Sequence, residues 1–256
     1  MTGLRAIVTN DDGIGSEGIR TLARVAVEMG LDVTVAAPLH ESSGASASLT
    51  AVEEHGRVAV ARRTIEGLDD VPAFGVRAVP GFIAWLATRE AFGPKPDVVL
   101  SGVNHGPNLG HAILHSGTVG AALTAATHGC RAMAVSMAAA EPSQWETAAI
   151  VARAMVPVVI DHAGPSAVLN VNVPDVPPSE LRGIQRAGLA RFGAVQANIA
   201  DVGEEFVKVT FGDVDAECEE GTDASLIAQG YATVTPLNPI CEARGVDLPD
   251  LDLALR

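Results

Sequence analysis

Five short runs, LRAIVT (4–9), DVTVAAP (32–38), PDVVLSG (96–102), CRAMAVSM (130–137) and SAVLNVNVP (166–174), carry apolar residues at successive positions rather than at every second one. A strand with one face in water alternates, whereas a strand apolar on both faces must be covered on both. Between these runs the period changes to that of a helix. Ile19, Leu22, Ala23 and Ala26 share one face, and so do Val119, Ala122, Leu123 and Ala126 in SGTVGAALTAATHG (116–129), which Gly129 closes. Trp145, Ala148, Ala149, Ala152, Met155 and Val156 form a third stripe. Buried strands separated by helices predict an α/β fold, a parallel sheet with helices on both faces.

The later sequence has another character. GEEFVKVTFGD (203–213) alternates, with Val207, Val209 and Phe211 on one side, and predicts a solvated antiparallel ribbon. GTDASLIAQGYATVTPL (221–237) reads as a short helix followed by a strand, and the tail from about 239 has little periodicity. A chain of 256 residues that is 48% hydrophobic and 4% aromatic accommodates this as one domain. Its core covers about 1–180 and 221–238, with a hairpin excursion at about 182–220 and a tail at 239–256. Cys130, Cys218 and Cys241 are far apart and match no metal-ligand spacing, so reduced thiols and a cytoplasmic location are expected. No stretch has the length of a membrane span. A net charge of −14 argues against a nucleic-acid polymer as partner, but not against a small phosphorylated substrate beside a bound cation.

In open α/β sheets ligands sit outside the carboxyl ends of the strands. The first run ends in Asn10, Asp11, Asp12 and Gly13, the second in HESSGASAS (40–48), and the third in SGVNHGPNLG (101–110), where Asn104 and Asn108 lie among glycines. Two carboxylates, a hydroxyl and an amide oxygen suit a hard cation such as Mg²⁺ or Mn²⁺. Ser116, Gly117 and Thr118 then open a helix, whose N-terminus attracts phosphate. Taken singly, each has a structural reading: Asn10 and Gly13 already make a turn, Asn104 and Asn108 can be turn formers, and Ser116 is a natural N-cap. Their recurrence at successive strand ends favours a site. His105, His111 and His115 are spaced by six and four, but the glycines and proline among them break a helical pair, so no zinc site is expected. His40 and His115 are the candidates for a general acid.

The segments TNDDG, APLHESSGASASLT, PDVVLSGVNHGPNLG, HSGTVGAALTA and GTDASLIAQGYATVTPL occur in the order found in the SurE family of survival proteins, and the resemblance spans roughly 4–238. It implies a Rossmann-like, mostly parallel α/β core with a β-hairpin and a C-terminal extension that serves in dimerisation. It also implies a metal-dependent phosphatase of nucleoside 5′- and 3′-monophosphates, with one divalent cation per subunit and a homodimeric or tetrameric assembly. Carried over by position, the metal ligands are Asp11, Asp12, Ser43 and Asn104, with Ser42 a competitor for Ser43. Asp11, Asp12 and Asn104 form the catalytic set, and Gly44, Asn108, Ser116, Gly117 and Thr118 the phosphate pocket. The chain departs from the family pattern where a GTPADCV-like stretch is replaced within AFGVRAVPGFIAWL (73–86), and where His115 stands in place of a tyrosine.

The expected reaction is phosphomonoester hydrolysis by metal-activated water, ahead of an aspartyl-phosphate route through Asp11. The alternatives are a phosphatase for short polyphosphate or a sugar phosphate, and a weakly catalytic phosphometabolite-binding protein.

Overall fold

Both faces of the apolar runs are in use. In β1 (Arg5–Thr9), Ala6 and Val8 point to one side of the sheet and Ile7 to the other. In β7 (Val98–His105), Val98 and Leu100 oppose Val99 in the same way. Each face therefore needs its own helical cover. On the first face lie α1 (Glu17–Glu28), through Ile19, Leu22 and Val25, and α4 (Trp145–Asp161), through Val151, Ala152 and Val156. On the second lie α2 (Pro80–Thr88), through Ile83 and Ala87, and α3 (Gly117–Thr127), through Val119, Ala122 and Ala126. Each fully buried aliphatic side chain in these layers contributes about 1.5–3 kcal/mol to stability.

The computed structural model describes residues 3–51, 53–164, 167–191, 195–202, 207–213 and 219–242. The remaining strands of the main sheet are β2 (Asp32–Pro38), β5 (Val60–Arg63), β6 (Ala73–Val76), β8 (Arg131–Met137), β9 (Val168–Val173), β10 (Ile184–Arg186) and β13 (Ala232–Leu237). The nine strands run in the order β10-β13-β9-β8-β7-β1-β2-β6-β5. The six from β9 to β6 are all parallel, while β13 on β9 and β5 on β6 pair antiparallel. The short pair β3 (Glu53–Glu54) and β4 (Arg57–Val58) and the ribbon of β11 (Val195–Val202) and β12 (Val207–Asp213) stand outside this sheet. Before β13 comes α5 (Asp223–Ala228).

The expected α/β class, mostly parallel with helices on both faces, is the observed one. The ribbon also forms, but its side chains and residues 203–206 lie outside the described residues, as does the tail from 243. One boundary differs. β10, placed by the sequence within the hairpin excursion, joins the main sheet beside β13, because it is a short parallel strand with too little apolar pattern to betray its pairing.

The order fixes where a site can be. From β1 the chain proceeds through α1 to β2 on one side, and later crosses back through α2 to β7 on the other. The adjacent carboxyl ends of β1 and β7 thus flank a topological switch point, where no crossover helix blocks the crevice. Along β7 the register against β8 slips: between the pairs Ser101–Ala134 and Asn104–Ser136, two residues, Gly102 and Val103, stand opposite one, Val135. Such a bulge re-aims the residues that follow it, here Asn104 and His105.

Candidate active site

The turn after β1 is complete without its carboxylates. Asn10 Nδ2 donates to Gly13 O at 3.0 Å and to Ser16 Oγ at 2.7 Å. Ser16 Oγ accepts from Ile19 N at 3.4 Å and caps α1. The carboxylates of Asp11 and Asp12 are therefore not needed for this turn.

Asp11 turns inward, is 4% exposed, and meets the start of α3. Its Oδ1 accepts from Thr118 Oγ1 at 2.5 Å and its Oδ2 from Thr118 N at 3.1 Å. Its main-chain oxygen accepts from Ser42 N at 2.7 Å, which ties the Ser-rich loop to the same point. A Cβ on Gly117 would lie 2.8 Å from Asp11 Oδ2, so glycine there is what lets the carboxylate seat against the helix start. Burial pushes the Asp11 carboxyl above the usual range, opposed by the bonds from Thr118.

Asp12 faces the other strand end, where its Oδ2 accepts from His105 N at 3.2 Å. The His105 ring packs against Trp145, with centroids 5.3 Å apart, and its Nδ1 is 4.0 Å from Asp12 Oδ1. Burial, and then the charge of Asp11, push the Asp12 carboxyl up to about 6. Two neighbouring buried carboxylates, both pushed upward, lack a compensating positive charge, and a divalent cation between them would reverse that balance.

A cavity of about 810 Å³ opens over Asp12 and is lined also by Glu41, Ser43, His105 and Leu109. Ser43 Oγ donates to Glu41 Oε1 at 2.7 Å, while Ser42 has its main chain on Asp11 and its side chain turned to His40 O at 3.3 Å. Of the two serines only Ser43 lines the cavity with Asp12. Asn104 Nδ2 donates to His105 O at 3.1 Å and Gly106 O at 2.8 Å, so its amide oxygen is the end left for a ligand. These donors are oxygens of two acids, one alcohol and one amide, a set that fits a hard cation. Among the described residues no three His, Cys, Asp or Glu side chains gather where they could hold a metal ion, so a cation here would draw on the hydroxyl and amide oxygens as well as the acids.

The phosphate-pocket candidates divide. Ser116 caps α3, accepting from Val119 N at 3.0 Å, and leaves its hydroxyl proton available. Gly117 is the first residue of the helix, where main-chain N–H groups have no internal acceptor. Thr118, by contrast, has both its hydroxyl and its N–H on Asp11 and positions that carboxylate. Asn108 is buried, with Nδ2 on Ser136 Oγ at 2.7 Å, N on Asn172 Oδ1 at 2.8 Å, and its carbonyl held by Asn170 and Asn172 at 2.9 Å each. It pins the loop to β9. Gly44 is exposed with φ +76°, and a Cβ there would meet nothing within 4 Å.

A family profile described as survival protein SurE matches residues 6–196. The chain belongs to the SurE family. SurE relatives named 5′-nucleotidase SurE come from Aeromonas hydrophila, 35% identical over 91% of this chain and 92% of its own length, and from Methylococcus capsulatus, 36% identical over 91% of both. The crystal structure of the SurE protein from Aquifex aeolicus shares the fold, with a TM-score of 0.74 and 32% identity over 93% of this chain and 94% of that one.

Reading this SurE chain by sequence missed two residues at the pair. His105 was weighed only as a zinc ligand, and Glu41 not at all, although Glu41 bears on both acids and bonds Ser43. The signal for His105 was its place directly after Asn104 at a strand end. The imidazoles proposed from sequence, His40 and His115, are exposed, and neither lines the cavity over Asp12.

Proposed function

We propose that this chain is a divalent-metal-dependent phosphomonoesterase that hydrolyses nucleoside 5′-monophosphates to nucleoside and phosphate. The family relation supports a nucleotidase or phosphatase activity, since the relatives carry the name 5′-nucleotidase. The observation that carries the finer reading is the acid pair, released from turn duty and set between the N-terminus of α3 and the end of β7.

Asp11, Asp12, the Ser43 hydroxyl and the Asn104 amide oxygen would hold one Mg²⁺ or Mn²⁺. Such an ion supplies Lewis-acid polarisation of a phosphoryl oxygen and a lowered pKa for water. Thr118 holds Asp11 in one rotamer, which preserves the charge arrangement through the reaction. The Gly117 N–H and Ser116 hydroxyl, at the positive end of α3, receive the non-bridging phosphoryl oxygens as their charge redistributes. Water attacks phosphorus, the bond to the nucleoside oxygen breaks, and that oxygen takes a proton. His105, the imidazole that faces Asp12 across the cavity, is the group assigned to deliver it.

The test is phosphate release from nucleoside monophosphates, ribose 5-phosphate and short polyphosphate, each with Mn²⁺, with Mg²⁺ and with a chelator. Nucleoside 5′-monophosphates should be turned over fastest, and chelation should stop the reaction. Preference for polyphosphate would move the substrate class, and full activity in chelator would remove the cation.

A further inference from the structure

Asp223 is completely buried and belongs to none of the machinery above, yet it sits at the crossing of three chain segments. Its Oδ2 accepts from Gly110 N at 2.8 Å, and its Oδ1 from Ala190 N at 3.0 Å and from Ala224 N at 2.8 Å. A carboxylate removed from water is expensive unless its lone pairs are filled, and here main-chain N–H groups fill them. Two of these donors are remote in sequence. Gly110 ends the loop that leaves Asn104, and begins the short 3₁₀ stretch Gly110–His115 that delivers Ser116 and Gly117. Ala190 lies on the segment leading from β10 to the β11–β12 ribbon. That segment is fastened further: Gly188 N donates to Gly221 O at 3.1 Å, and Asp223 N to Gly188 O at 2.8 Å.

The site loop is thus pinned at several places. Asn108 is fixed to β9 by Asn170 and Asn172, Gly110 is fixed to Asp223, and the end of the stretch is held by Ser46, whose hydroxyl donates to Leu114 O at 2.7 Å and whose N–H donates to His115 O at 3.3 Å. Between the cation donor Asn104 and the phosphate donors at 116–117, Asp223 is the fastening that also reaches the segment at Ala190. We infer that Asp223 is a positioning residue: it sets the phosphate-receiving start of α3 relative to the acid pair and couples that geometry to the ribbon segment at Ala190. The inference rests on the proposed phosphomonoesterase reading. Asp223 bonds neither acid, and the two Thr118 bonds keep Asp11 anchored to α3, so loosening Asp223 should act more on phosphate than on the cation.

The test compares wild type with Asp223→Asn and Asp223→Glu in full-length protein, using Mn²⁺ alone and inorganic phosphate as probes. In Asp223→Asn, kcat for a nucleoside 5′-monophosphate should fall about 10–100-fold and inhibition by phosphate weaken, as expected when reacting groups shift by about an ångström. The Mn²⁺ dissociation constant should stay within about 3-fold of wild type, and Asp223→Glu should recover part of the loss. A parallel loss of Mn²⁺ affinity and phosphate binding would mark a general structural defect and overturn the inference, as would wild-type kcat. If Asp223→Asn does not fold, amide exchange in the wild-type protein decides. Phosphate with Mn²⁺ should slow exchange at Gly110 and Ala190 together, and slowing at neither or at Gly110 alone overturns it. Failure of wild type to release phosphate from any nucleotide would count against the functional reading instead, because the amide coupling is read without turnover.

Discussion

At the residue scale, adjacent acids of the same type have different environments and so different duties. Asp11 is enclosed and receives two bonds from Thr118, whereas Asp12 opens on the cavity and receives one from His105. Asp11→Asn keeps the volume and the turn, which depends on Asn10, but replaces an acceptor facing two donors by an amide. Turnover should be lost while the circular dichroism spectrum is retained, and residual turnover near wild type would remove Asp11 from the site. Thr118→Val deletes one of those donors and leaves the Asp11 carboxylate looser, so kcat/KM should fall about 10–100-fold, the usual scale for a residue that orients a ligand. If Thr118 bound phosphate instead, Thr118→Val would weaken phosphate inhibition and leave Mn²⁺ affinity alone. The acids and Asn104 were candidates in the sequence because strand ends of a parallel sheet collect ligands, and Ser43 because the family motif marks it. The duty of Thr118 was not, because a Ser-Gly-Thr helix start reads identically whether its donors meet a phosphate or a carboxylate of the same chain. Asn108 misled for a related reason: an asparagine among glycines looks like a site residue, and only the arrival of Asn170 and Asn172 from β9 shows that it fastens the loop.

At the scale of elements, the buried strands were legible since apolar residues on both faces permit one environment. α2 was not, because PGFIAWLAT is apolar nearly all round and so has no period to detect, and the edge strand β5 and its neighbour β6 precede it without a hydrophobic alternation strong enough to mark them. The bulge in β7 also left no local trace. What the elements demand of one another is clearest at glycines. A Cβ on Gly120 of α3 would lie 2.3 Å from Ser46 O, so the helix and the loop that carries Ser43 touch backbone to backbone. Gly120→Ala should push the loop away, lowering stability by about 1–3 kcal/mol in denaturant unfolding and weakening Mn²⁺ binding through Ser43. The same substitution at Gly15, in the turn before α1 where nothing lies within 4 Å, is the control for the change in unfolded-chain entropy. Loss of stability without any change in Mn²⁺ affinity would detach Ser43 from the cation.

At the scale of the whole molecule, a chain of net charge −14 folds with two acids pressed together at its switch point, and that cost has a pH signature. In the cation-free protein Asp12 titrates at about 6, above the ordinary carboxylate value of about 3.9. The folded state therefore holds this proton more tightly than the unfolded chain. Its stabilising contribution is complete below about pH 4 and is lost as the pH rises through about 6. A divalent cation needs the deprotonated carboxylate, so its affinity moves oppositely and grows through the same window, by up to about tenfold per pH unit. Since a ligand that binds only the folded state raises stability according to its affinity, the increase in Tm produced by Mn²⁺ over chelator should widen between about pH 5 and pH 7. Thermal unfolding with saturating-excess Mn²⁺ or with chelator, at matched ionic strength, measures it. In Asp12→Asn the increment should be small and flat, because the group that exchanges proton for cation is gone. An increment in the wild type that is constant across the window, or larger at the acid end, would show that Asp12 does not hold the ion. The acid pair would then be a source of strain that some other group relieves.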